Sequence, residues 1–286
     1  MDQPSRKKLS LGKIGFLNVL PIYHPLESGI LPHPFSIVAG VPSHLNGLMA
    51  RGLLDISVVS SIEYARNPGR YTILPDLSIA CFGAVESVLL LSRKPVKELG
   101  GETVLASTQS HTSVGLLKIL AARRFGIELN VSPGNVSERL AQKEPPAAVL
   151  AIGDEALELR RKGIFPHVLD MGEEWSDWTG LPFVFALWVA QKSVIQAADG
   201  MAGAGVSALL SAKRWGRENP ELVCAEAAQR GILTVEELRR YYGRLYYDLG
   251  KDEQKGLRLF YKYLFETGQI DAAPDIEIYA PLASVA

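Results

Sequence analysis

The sequence predicts an α/β fold of two lobes followed by a helical C-terminal segment, and three observations lead there. Short apolar runs alternate with helix-patterned segments over roughly the first two thirds of the chain, which is the rhythm of strand and crossover helix. The length, 286 residues, exceeds the ~150 residues of a typical single domain. Beyond Ser193 the pattern is almost wholly helical.

The elements follow in order. Residues 13–17 read as a first strand. Residues 41–51 read as a helix, opened by Pro42 and Ser43, carrying Leu45, Leu48 and Met49 at spacings of three and four, and ended by Gly52. Strands are expected at 55–59, 78–82 and 85–92, then a connector from Lys94-Pro95 to Gly100-Gly101. A second set begins with strand 103–106 and an amphipathic helix over 113–124. Strand 129–131, helix 137–142, strand 147–152, helix 154–162 and strand 167–171 complete it. The segment from Asp170 to Ala190 is distinctive, because acids and tryptophans (Glu173, Glu174, Trp175, Asp177, Trp178) lead through Thr179-Gly180-Leu181-Pro182 into an apolar run ending at Trp188. That run reads as a strand buried on both faces. The tip before it suits either a pocket rim or a Trp pair capping the core. In the tail, Thr234-Val-Glu-Glu237 forms a capping box ahead of a Leu238, Tyr242, Leu245 stripe.

Composition excludes several function classes. Lys plus Arg number 30 and Asp plus Glu 31, for a net charge of −1. No global field draws nucleic acid or a membrane surface, so an anionic ligand needs a local site. Cys81 and Cys224, the two cysteines, sit in unlike contexts and read as a reduced pair. The basic N-terminus is followed by a stretch broken by Lys13, Asn18 and Pro21, which is not a secretory signal. No run approaches the ~20 apolar residues of a membrane helix. A cytoplasmic protein is expected.

Signatures of phosphate-binding loops, zinc proteases, redox dithiols and the Ser nucleophile elbow are absent. Gly203-Ala-Gly205-Val-Ser-Ala208 imitates a dinucleotide motif inside a helical stretch, without the strand that the mechanism requires. Asn135-Val-Ser137 matches a glycosylation sequon, which means nothing in a cytoplasmic chain. Small polar residues, by contrast, gather where strands hand over to helices, the place where open α/β sheets bind ligands. Asn18 follows the first strand, Ser60 and Ser61 follow 55–59, and Ser107 to Ser113 open a helix with Ser110, Thr112 and Ser113. Hydroxyls and free N–H groups at a helix start suit a carboxylate or phosphate, although capping alone explains one or two of them. Gly153 would permit close backbone approach, and Asp154 beside it suits a cap. His111 is either a proton carrier or a solvated histidine.

Seven motifs, taken together, resemble the chorismate dehydratase family of the futalosine route to menaquinone. They are Gly15-Phe-Leu-Asn18-Val-Leu-Pro21, Val41-Pro-Ser-His-Leu-Asn46, Leu54-Asp-Ile-Ser-Val-Val-Ser-Ser-Ile-Glu-Tyr64, Gly83-Ala-Val-Glu-Ser87-Val, Ser110-His-Thr-Ser113, Ile152-Gly-Asp-Glu-Ala-Leu157 and Trp178-Thr-Gly-Leu-Pro-Phe-Val-Phe-Ala186. They arrive in the family's order between Ile14 and Leu264. The resemblance implies a fold like type II periplasmic binding proteins, with residues 1–92 and 187–286 in one discontinuous lobe and 93–186 in the other. It implies loss of water from chorismate to give 3-[(1-carboxyvinyl)oxy]benzoate, with no metal or organic cofactor. Under it, Asn18 and Ser87 sit against the reacting ring, and the substrate is bound by Ser60, Ser61, Ser110, Thr112, Ser113, Gly153, Asp154, Pro182 and Phe183.

The base is open among Glu86, Glu63, Asp154 and His111. Strand alternation would turn Glu86 and Ser87 to opposite faces, and with Ser87 inward the substrate's own enolpyruvyl carboxylate becomes the proton acceptor. Two rivals share the architecture: a non-catalytic binding or sensor protein for a small carboxylate, and the sister enzyme 1,4-dihydroxy-6-naphthoate synthase. The expected partner is the small-molecule substrate alone, with no nucleic acid and no membrane, in a monomer or homodimer. The tyrosines of the C-terminal helices suit intramolecular packing.

Overall fold

The computed structural model describes residues 8–107, 111–142, 145–197 and 200–280. Two five-stranded sheets each build one lobe. The first contains β1 (Leu9–Lys13), β2 (Phe35–Ala39), β3 (Ile56–Ser60) and β4 (Tyr71–Cys81), with α1 (Leu20–Glu27), α2 (Pro42–Ala50) and α3 (Ser61–Arg66) between them. The chain then enters the second sheet as β5 (Val88–Ser92), followed by β6 (Thr103–Ser107), α4 (His111–Ile119) with a π-helical turn Leu120–Phe125, β7 (Asn130–Gly134), α5 (Val136–Leu140), β8 (Ala148–Ile152), α6 (Gly153–Lys162), β9 (His167–Asp170) and α7 (Met171–Thr179). It returns as β10 (Phe183–Gln191) and ends in α8 (Lys192–Gln196), α9 (Met201–Glu218), α10 (Pro220–Ala228), α11 (Val235–Tyr242) and α12 (Lys251–Glu266).

Strand order is β2-β1-β3-β10-β4 in one sheet and β7-β6-β8-β5-β9 in the other. In each, four strands run in one direction and the strand arriving from the other lobe, β10 or β5, runs antiparallel between two of them. The C-terminal ends of β1, β3, β6 and β8 therefore lead into the loops that face the cleft, as ligand sites in open sheets require.

Several boundaries differ from the sequence reading, each for a local reason. The first strand is Leu9–Lys13, because buried Leu9 and Leu11 register against Phe35 and Ile37, while Asn18 falls in a 3-10 turn, Leu17–Val19. The edge strand β2 carries no alternating apolar pattern that would mark it in the sequence, since only Phe35 of its five residues is buried. The fifth strand starts at Val88, after a turn in which Gly83 and Glu86 take φ of 86° and 63°. That turn, not strand alternation, separates Glu86 from Ser87. Residues 88–92 pair with β8 and β9, so the first crossing falls at 82–87 and the connector at 94–101 lies within the second lobe. The second crossing spans 171–182, and Phe183–Ala186 belong to β10 of the first sheet.

Asp170 stitches the two crossings together. It caps α7 by accepting the N–H groups of Gly172 and Glu173 at 3.0 and 3.2 Å, and it accepts those of Val85 and Glu86 at 3.0 and 2.7 Å. Burial pushes its carboxyl above the usual aspartate range, against the pull of these four donors. The acid and tryptophan segment is thus a helix ending on Gly180 at φ 68°. Trp175 is fully buried against Phe183, Phe260 and Tyr263, which settles the Trp pair as core.

The C-terminal helices pack on the first sheet and buttress the cleft. Where α9 crosses α1, Gly216 lies against the Pro21 carbonyl, and an added Cβ would run into it. Gly216→Ala is expected to cost about 1–3 kcal/mol, read as a lower midpoint in urea with an unchanged slope. Among the described residues no helix is long and apolar enough to cross a membrane.

Candidate active site

The lobes meet on both flanks of a cleft lined by residues of both sheets, the kind of concave site that takes a small ligand. On one flank the Ile62 N–H and the Ser61 hydroxyl bond Thr112 Oγ1 at 3.1 and 3.3 Å. On the other, the Phe16 ring lies on Gly153, where an added Cβ would stand 2.8 Å from Phe16 Cδ1 and the backbone has φ 59°. Glycine is required there for both reasons. The Gly153 N–H donates to Ser87 O at 2.7 Å.

Polar side chains lining the cleft are Asn18, Asn46, Ser60, Ser87, His111, Thr112 and Ser113, set among Ile14, Phe16, Val59, Ile79, Ile152, Phe185 and others. No lysine, arginine, aspartate or glutamate lines it among the described residues. Asn18 Oδ1 and Ser60 Oγ are buried without a hydrogen-bond partner among those residues. A buried polar atom left unpaired costs about 1–3 kcal/mol, and two such atoms facing one cavity mark it as built for a polar ligand. Ser60 is the residue before α3 and makes no capping bond, so its hydroxyl remains available.

Three tyrosines of the C-terminal segment hold this lining from behind. Tyr241 donates to Ser87 Oγ at 3.1 Å, Tyr242 to Leu17 O at 3.0 Å and Tyr247 to Asn18 O at 2.8 Å. Burial raises the pKa of each, so all three remain proton donors. Ser87 Oγ accepts from Tyr241 at 3.1 Å and donates to Val85 O at 3.5 Å, a long bond that a ligand acceptor in the cleft would compete with.

His111 is the one titratable side chain lining the cleft among the described residues. Burial, and next the charge of Arg66, hold its pKa below the usual histidine value, so it is neutral at pH 7. The carboxylates considered as bases are engaged elsewhere. Glu86 pairs with Arg244 at 2.7 Å, and Glu63 accepts from Asn67 at 2.9 Å and Tyr71 at 3.4 Å. Asp154 accepts the Leu17 N–H at 2.9 Å and pairs with Arg230 at 3.2 Å.

Of the residues expected from sequence, the fold brings Asn18, Ser60, Ser87, Thr112, Ser113 and Gly153 to the cleft. Ser61 lies behind it, fully buried on Thr112. Asp154 does not line it, because its carboxylate turns to Leu17 and Arg230. Pro182 and Phe183 do not line it either. The Pro182 carbonyl accepts Trp175 Nε1–H at 3.2 Å, and Phe183 is buried in the aromatic core, while Phe185 and Ala186 take the lining positions two and three residues on. Ser110 lies outside the described residues. Asn46 was legible as part of a motif without a role; the tyrosines carried no signal, since their partners lie more than 150 residues away. Among the described residues no cluster of His, Cys, Asp and Glu could hold a metal ion.

Residues 9–266 match the family model described as menaquinone biosynthesis. The chain is 31% identical over 267 residues to the chorismate dehydratase of Thermus thermophilus, an alignment covering 87% of this chain and 93% of that one. A 1,4-dihydroxy-6-naphtoate synthase of Streptomyces coelicolor is 29% identical over 155 residues, which cover 52% of this chain and 53% of that one. Among solved structures, the periplasmic aliphatic sulphonate binding protein of Escherichia coli superimposes with a TM-score of 0.71 at 15% identity, covering 99% of this chain and 95% of that one. The two-lobed fold is therefore of the periplasmic-binding-protein type.

Proposed function

The chain belongs to the menaquinone biosynthesis family, and we propose that within it this protein is a chorismate dehydratase, a hydro-lyase that converts chorismate to 3-[(1-carboxyvinyl)oxy]benzoate and water. The observation that carries the reading is the lining: unpaired Asn18 Oδ1 and Ser60 Oγ in a cleft without charged side chains among the described residues. Neutral hydroxyls, amides and the N–H groups opening α4 bind a doubly charged acid from two lobes, which screen it from water on closing.

The reaction asks little acid or base strength of the protein. The ring proton that leaves is conjugated through the diene to the ring carboxylate, and aromatisation drives the departure of hydroxide. Orientation and stabilisation of developing charge then do most of the work. Asn18 and Ser87 hold the ring and the leaving hydroxyl by hydrogen bonds, with Tyr241 fixing the Ser87 oxygen from behind. The substrate's enolpyruvyl carboxylate takes the ring proton as the ring C–O bond breaks, and that same proton passes on to the departing hydroxide, which leaves as water and restores the carboxylate.

The test is incubation of the purified chain with chorismate, followed by absorbance and product mass. An aromatic product one water lighter is expected. Chorismate bound unchanged would indicate a binding protein, and neither binding nor turnover would discard the reading.

A pH profile separates substrate-assisted chemistry from a protein base. With the His111 pKa held below 6.5, a His111 base would give a rate limb below that pH, whereas kcat/KM is expected to stay flat from about pH 9 down through that range if the substrate's own carboxylate is the base. Stability, unlike the rate, should change there. Because the folded state holds the His111 pKa below its unfolded value of 6.5, the unfolded chain binds the extra proton first, and stability falls as pH drops below 6.5. His111→Gln should remove that fall and leave the rate and its flat profile within a few-fold of the unchanged chain. A rate limb below pH 6.5 in the unchanged chain, with turnover lost by several orders of magnitude in the variant, would make His111 the base.

A further inference from the structure

Asp154 lies off the cleft, yet it spans the gap between the lobes. It sits in the first turn of α6 in the second lobe, and its Oδ1 accepts the N–H of Leu17, the residue that opens the turn carrying Asn18 in the first lobe, at 2.9 Å. Its Oδ2 meets Arg230 Nη1 at 3.2 Å, and the same nitrogen donates to Gly15 O at 2.6 Å. Arg230 is thereby fixed to the first lobe's backbone two residues before Leu17. The Leu17 side chain is fully buried, and the first N–H groups of a helical turn have no partner within it. Asp154 supplies that partner from across the cleft, one residue beyond the Gly153 on which Phe16 lies.

We infer that Asp154 is a positioning residue: its carboxylate in one lobe fixes the turn that carries Asn18 in the other, with Arg230 as its counter-charge. The inference rests on the proposed dehydration for its kinetic consequence, and on geometry alone for the tie. An acid in the first turn of α6 would favour that helix in any case, so the test must read Leu17 directly.

Amide hydrogen exchange is measured on the full-length chain without any ligand. In Asp154→Ala, exchange at Leu17 is expected to rise at least tenfold, with β3, β8 and the rest of α6 unchanged. On chorismate the same variant should lose about tenfold to a hundredfold, the range of one charge-assisted hydrogen bond, and the loss should fall on kcat with KM within threefold. Arg230→Gln should lose less, and the loss in the double variant should fall short of the sum of the two single losses. Unchanged exchange at Leu17 would overturn the inference. So would faster exchange with kcat within twofold, or lost protection spreading through α6 and β8, which is the mark of a merely structural acid. A wild-type chain that leaves chorismate untouched would instead overturn the proposed function, and the exchange result would then judge the tie by itself.

Discussion

Asn18→Ala is expected to lower kcat on chorismate by about 10²–10³-fold, the loss typical of removing one polar group aimed at developing charge. Its fold should survive. Asn18 Oδ1 has no partner in the described protein, so truncation removes an unsatisfied buried atom, and the folding free energy should stay the same or rise by about 1 kcal/mol. The turn itself is held by backbone: Tyr247 donates to Asn18 O, and Asp154 accepts from the Leu17 N–H. Asn18→Asp keeps the shape but sets an anion against a doubly negative substrate, so KM should rise as kcat falls. Steady-state kinetics with urea unfolding on the same preparations checks both halves. A large stability loss in Asn18→Ala would mean that the side chain supports the fold instead of the ligand.

Asp170→Ala should produce the largest stability loss, about 3–4 kcal/mol, because four backbone N–H groups lose a buried carboxylate together. The damage concentrates where the chain passes between lobes. Val85 and Glu86 immediately precede Ser87, and Gly172 and Glu173 open α7 under the aromatic core. Turnover at low temperature should therefore fall as well, since Ser87 would lose the turn that aims it. Asp170→Asn retains the shape and one acceptor but turns an N–H₂ toward N–H donors, and should lose about 2 kcal/mol. Urea midpoints near wild type in both variants would contradict this assignment of Asp170.

Much of the site was legible because its chemistry is local. Hydroxyls and amides at the ends of parallel strands, such as Asn18, Ser60, Thr112 and Ser113, lie where open sheets present ligands, whatever the distant chain does. Gly153 was legible for a similar reason, as a strand-ending glycine before a helix. Ser61 and Asp154 belong to the same handover segments, but their side chains found protein partners across the cleft, which strand endings cannot reveal. Pro182 and Phe183 stood beside the true lining residues and missed the cleft because the aromatic core claimed them.

What the sequence determined by itself is the alternation of strands and helices, the hydroxyls and amides at strand ends and the family motifs, since each depends on neighbours a few positions apart. Tertiary structure alone decided which polar atoms stay unpaired, how the crossings at 82–87 and 171–182 are joined through Asp170, and how Tyr241 reaches Ser87 while Tyr242, Tyr247 and Arg230 reach the segment from Gly15 to Asn18. Those contacts join residues far apart in the chain, and hydrogen-bond satisfaction is set by packing in space, which no local pattern encodes.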